Sequence, residues 1–177
     1  MNSKSDEVLG HLSSCCDAVY RALGESAPVL GNDAFVVRTH EMSRVFGELA
    51  AALRTPLASD EPLAVIESVL DDAAANDATG AMLVYAMVIA VGPRLLVSLR
   101  DARIALAGDP AADQLIDHVA EVAVREIRQC AEVARDLGIG EDEDEDEDEG
   151  AAWRAAARRL TEALENSGNG ESFGISR

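Results

Sequence analysis

Residues 141–149 read EDEDEDEDE, nine acids without a break. No hydrophobic core can take in such a run, because each carboxylate would lose its water without gaining a partner. The acids repel one another and bury nothing, so the sequence predicts an extended linker at this point. The chain is thereby divided into a domain-sized stretch at 1–140, the acidic linker at 141–150, a short amphipathic helix at 151–165 and a Gly/Asn/Ser-rich tail at 166–177 that is expected to be disordered. A strict two-residue repeat can arise by slippage in the gene. A plain linker is therefore the first expectation, ahead of a decoy for basic surfaces or a cation sponge.

Within 1–140 the apolar spacing is helical almost throughout, and no segment alternates as a strand would. The fold class expected is all-α: a helical bundle of about six helices, plus one appended C-terminal helix after the acidic linker. Val8, Leu12, Cys15, Val19 and Leu23 mark a first helix over 6–23, opened by Ser5, Asp6 and Glu7. Phe35, Met42, Phe46, Leu49 and Leu53 mark a second over 33–53, which must stop before Pro56. Ser59 or Asp60 caps a third, with Leu63, Ile66, Leu70 and Ala73 inward and an end near Asn76.

Residues 78–91 are apolar on every side, as expected at the centre of a bundle. Gly92-Pro93 then kinks that helix or starts another, which runs to Ala107 with Leu95, Leu99, Ala102 and Leu106 inward and Arg100 and Arg103 outward. Asp109-Pro110 opens the longest helix, with Ile116, Val119, Ala123, Ile127, Cys130, Ala134 and Leu137 as its seam and Glu121–Arg125 as an i,i+4 pair. Its seam matches that of 33–53, so those two helices are expected to pack lengthwise and antiparallel.

Charge and composition exclude several functions. Fifteen basic residues against 33 acids leave a net charge of −18, the wrong sign for a phosphate backbone, so direct nucleic-acid binding is not expected. One Trp, two Tyr and three Phe are too few for base-stacking platforms. Cys15, Cys16 and Cys130 make an odd set, unlike the paired framework of a secreted domain, and the first eight residues hold no apolar stretch of a secretory signal. A reduced, cytoplasmic setting is expected. Fourteen of the basic residues are Arg and only Lys4 is Lys, a bias common in GC-rich bacterial genomes. The membrane alternative rests on 81–99, but its uninterrupted apolar part, 81–91, is shorter than the ~20 residues a span needs, and Arg94 follows it.

Candidate sites are few. His11 and Cys15 stand at i,i+4 and can reach one metal ion together, though two ligands do not complete a site, and core cysteine with surface histidine is the commoner arrangement. Asp71, Asp72 and Asp77, and separately Asp113, Asp117 and Glu121, could offer oxygen ligands to a cation but read first as solvated faces. No Glu stands three positions before any histidine, which excludes the usual ferritin-like di-iron pattern. No phosphate loop, nucleophile elbow, H-E-x-x-H or C-x-x-C occurs. No cofactor is expected.

The partner-binding candidates are Trp153, Leu160 and Leu164 on one stripe of the appended helix, and Phe173 and Ile175 as anchors in the terminal ESFGISR, which has the form of a linear docking motif. The expectation is a non-enzymatic interaction or adaptor protein that binds a protein partner or a second copy of itself. Its rivals are a bundle holding a small molecule or metal, possibly as an enzyme, and a membrane-associated protein using 81–99.

Overall fold

The computed structural model describes residues 3–27, 33–57, 61–76, 83 and 86–136, together with Glu162. The fold is all-α, and no strand occurs among the described residues. Five α-helices are described: α1 (Ser3–Ser26), α2 (Asp33–Leu53), α3 (Glu61–Asn76), α4 (Gly92–Ala105) and α5 (Pro110–Asp136), with a π-helical turn at Met87–Val91 leading into α4. The linker 141–150 and the tail 166–177 lie outside the described residues, as does the appended helix apart from Glu162.

α1 is the element on which α2 and α3 pack most extensively, with α4 touching it too, while α5 packs on α4, α2 and the π turn. The stripe Val8, Leu12, Cys15, Val19 and Leu23 is buried as its spacing predicts. Leu9, Cys16, Ala18 and Ala22, on other faces of the helix, are buried as well. A helix covered on more than one side needs side chains that are apolar or small, and this one supplies Ser13 and Ser14 where backbones come close. Ser13 donates to the Ala50 carbonyl (2.8 Å), Ser43 to that of Tyr20 (2.8 Å) and Thr55 to that of Asp6 (2.5 Å). As the α1 number rises its α2 partner falls, so the two helices form an antiparallel hairpin.

This arrangement corrects one expectation. α2 lies along α1, and its contact with α5 is far smaller, a crossing at which Arg38 and Met42 meet Glu126 and Cys130. The apolar seams of α2 and α5 both face inward, but they face a shared core and are not each other's main partners. Within 78–91, the described Leu83, Ala86, Met87, Ala90 and Val91 are fully buried, while Val88 is only half-buried against the core, so the segment is covered on most but not all of its described sides.

Gly92 and Pro93 do not interrupt the helical backbone. Pro93 has no N–H, and its ring would collide with the carbonyl four residues back in a regular α-helix. The wider π turn admits it: the Gly92 N–H reaches back to the Met87 carbonyl, and helical backbone runs on through Val91 into α4. Gly92 is required there, because a Cβ would stand 2.5 Å from the Met87 oxygen and 2.9 Å from Ile127 Cδ1 on α5.

The start of α5 is built as its sequence predicts. Gly108 takes φ +107°, a value open to glycine, and lets the chain turn. Asp109 then caps the helix, accepting the Ala112 N–H at its carboxylate (3.2 Å), while its other oxygen accepts the Ser5 hydroxyl (3.0 Å). Those bonds, Ala112 first, hold the Asp109 carboxyl below the usual carboxylate range. A predicted pair is replaced: Arg125 turns to Glu126 (3.3 Å) instead of Glu121. Among the described residues no helix is long and apolar enough to cross a membrane.

Gly92→Ala tests the close approach at the π turn. Alanine ordinarily stabilises a helix interior, yet here it should lower stability by about 1–3 kcal/mol, read as a reduced urea midpoint with unchanged slope.

Candidate functional site

A groove of about 640 Å³ runs along the α1–α2 hairpin. Small residues make room for it: Ser13, Ser14, Ser43, Gly47, Ala50 and Ala51 form its lining, with Tyr20, His40 and Arg54 among the larger side chains. Gly47 lets the Tyr20 ring lie against α2, since a Cβ there would meet the ring at 3.0 Å. The ring remains 44% exposed and so presents an open aromatic edge to the groove.

Charged pairs flank the concavity. Arg21 holds Asp17 (2.6 Å) and Arg44 holds Glu48, both as i,i+4 pairs on exposed helix faces. Such pairs are individually weak in water. The hydroxyls of Ser13, Ser14 and Ser43 all donate to backbone carbonyls, so none is free to donate a proton to a bound molecule.

A second constellation is sealed inside. Arg38 on α2 and Glu126 on α5 are 8% and 5% exposed, with Arg38 Nη2 2.5 Å from Glu126 Oε2 and 3.1 Å from the Glu126 carbonyl oxygen. The Arg38 Nε has no hydrogen-bond partner among the described residues. One turn along, the Cys130 thiol lies 3.1 Å from the Met42 sulfur. Burial pushes the Cys130 thiol up, against the pull of the Arg38 guanidinium. Burial also works against charge on Arg38, but Cys130 and Glu126 outweigh it and hold the guanidinium above its ordinary range.

Among the described residues the sequence-predicted metal ligands are joined by no third metal-ligating group. Cys15 is fully buried and burial raises its pKa well above the ordinary thiol value, while Cys16, also desolvated, is pushed up to about 12. A thiol held protonated is a poor metal ligand. Among the described residues no three His, Cys, Asp or Glu side chains converge, so His11 and Cys15 gain no third ligand. Asp113 and Asp117 both bind Arg103, at 3.1 and 2.8 Å, which gives that acidic ladder a structural partner. Trp153, Leu160, Leu164, Phe173 and Ile175 lie outside the described residues.

Sequence reasoning missed the Arg38–Glu126 pair and the groove. The pair had a signal: Arg38 stands three after Phe35 and four before Met42, and Glu126 three after Ala123 and four before Cys130, so both charges occupy core positions of their helices. The groove had none, because it depends on how closely α1 and α2 approach.

Removing one member of the buried pair should be costly: Arg38→Met alone is expected to lose about 3–5 kcal/mol, and Arg38→Met with Glu126→Leu should regain most of it in a double-mutant cycle by urea unfolding. The thiols give a second test. Ellman's reagent at mildly alkaline pH should leave Cys15, Cys16 and Cys130 unreacted in the folded protein and titrate all three in denaturant; rapid labelling of the native state would contradict their burial.

No family model matches the sequence, and neither a curated protein nor a solved structure is similar to it at a significant level.

Proposed function

We propose that this chain is a non-enzymatic helical interaction protein of the cytoplasm, a self-associating adaptor whose helical part carries a linker and an appended docking helix. The observation that carries this reading is where the apolar side chains go. Those of the described helices close on a common core drawn from α1 to α5 and the π turn, and among the described residues the large exposed apolar side chains are Tyr20, Val37, Leu57 and Ile104. The stripe Trp153, Leu160 and Leu164 is separated from that core by nine acids, and an apolar stripe gains free energy only by being covered.

Three further points support the reading. Among the described residues, inward polar side chains such as Arg38, Glu126, Ser13 and Ser43 join neighbouring helices, while Ser14, Arg94 and Ser98 bond carbonyls of their own helical segments. The serine hydroxyls of the α1–α2 groove are engaged by carbonyls. Phe173 and Ile175, well beyond the acidic run in the sequence, offer a second, short anchor.

Light scattering and recovery of bound proteins from lysate, comparing the full chain with one ending at Gly140, test the proposal. The full chain should form a larger species and recover partners that the shortened chain does not, and Trp153→Ala with Leu160→Ala should act like the truncation. If the species and the recovered proteins are unchanged by truncation, the docking role of the appended helix is wrong.

A further inference from the structure

The rim of the α1–α2 groove is rich in cations for so acidic a protein. From His40 to Arg54, with Arg44 between, basic side chains recur along about 20 Å of α2, and Arg21 adds another from α1. Three guanidinium groups stand against two carboxylates, Asp17 and Glu48, within a chain of net charge −18. The two ion pairs are exposed and leave further N–H donors on Arg21 and Arg44, while Arg54 has no ion pair among the described residues. An elongated, open groove with cations spaced along its rim suits an extended polyanion better than a compact ligand.

The chain carries one. We propose that the acidic run, residues 141–149, lies extended in the α1–α2 groove of the same molecule, held by Arg21, Arg44 and Arg54 and released by salt. Its strict alternation of Glu and Asp puts a carboxylate at every position, so no single register is demanded. A groove of about 20 Å takes about six extended residues, fewer than the run supplies.

Reach is sufficient. Cys130 touches Met42 on α2 and α5 ends at Asp136; with the last six acids of the run in the groove, residues 137–143 remain as a tether that can span about 25 Å, several times the radius of the helix it must pass around. The run is then an electrostatic latch that keeps Trp153, four residues beyond it, beside the helical part at low ionic strength. This goes beyond the adaptor reading and does not depend on it.

A nitroxide placed at Glu145→Cys tests the proposal, since the three native thiols are buried and should escape labelling. In isotopically labelled full-length protein at low salt, amide signals of Arg44, Gly47 and Arg54 should broaden while that of Ile104 on α4 does not. The broadening should vanish near ~1 M salt, where the screening length falls to ~3 Å, and in the variant Arg21→Gln, Arg44→Gln, Arg54→Gln with its melting temperature retained. The salt arm needs no variant and decides the matter alone if the substitutions disturb folding. The proposal is overturned if no amide broadens, if broadening centres on Arg128 and Arg135 of α5, or if it survives high salt. It is overturned equally if broadening arises only when spin-labelled protein is mixed with isotopically labelled, unspin-labelled protein, because the run would then be gripping a second copy.

Discussion

A helix that is covered on several sides cannot carry long polar side chains on those sides, and the composition of α1 obeys that constraint. Ala, Ser, Cys and Gly recur along it beside its Leu and Val residues, and their small size lets α2 approach closely enough for serine hydroxyls on either helix to reach carbonyls on the other. Each such bond satisfies a buried hydroxyl and fixes the slide of one helix along the other. The same small residues leave the groove beside the hairpin, where side chains are too short to fill the space. The groove follows from the packing that holds α1 in place, and charged residues border it because its rim faces water.

The crossing of α2 and α5 is governed by a different force. Bringing Arg38 and Glu126 out of water carries a penalty that their attraction only partly offsets, so the pair is not a simple gain in stability. It matters as a constraint on alternatives. A helix placed one turn out of register would leave a guanidinium or a carboxylate buried without its partner, a state costlier than the pair itself. The apolar contacts of the shared core permit many slides of α5 against its neighbours. The Arg38 bonds to both the side chain and the carbonyl of Glu126 permit few. Gly92 adds a steric limit at the other contact of α5, where Ile127 packs against a backbone with no Cβ in the way.

Much of this architecture was legible in the amino acids because it is local. The bounds of α2, the cap at Asp109, the turn at Gly108 and the inward face of α4 follow from spacing and from capping chemistry that acts within a few residues. The rest was not legible because it depends on three-dimensional neighbours. Matching seams on 33–53 and the long helix suggested that the two pack together, but a seam shows only that a face is covered and not by which helix. The burial of Leu9, Cys16 and Ala22 off the main stripe was the clue that α1 has partners on more than one side. Arg38 and Glu126 sat in core register all along, and reading charges as surface residues by default hid them. For the candidate site the legible part was smaller still. His11 and Cys15 had the spacing for a shared ion, yet spacing says nothing of burial, and burial keeps the thiol protonated.

The distribution of charge separates the chain into parts that answer to different variables. Half of the net charge of −18 lies in the nine residues 141–149, so the remainder of the chain carries its acids at a much lower density. In the helical part, ion pairs such as Arg103 with Asp113 and Asp117 are exposed and screened, and its stability rests on aliphatic burial, which salt does not weaken. Any attraction or repulsion involving the acidic run is long-ranged at low ionic strength and fades within a Debye length as salt rises. Ionic strength can therefore act on the run and on whatever it contacts while leaving the fold intact. That separation is what the proposed latch requires: a salt-dependent contact of the acidic run with the groove that can be lost while α1 to α5 stay folded.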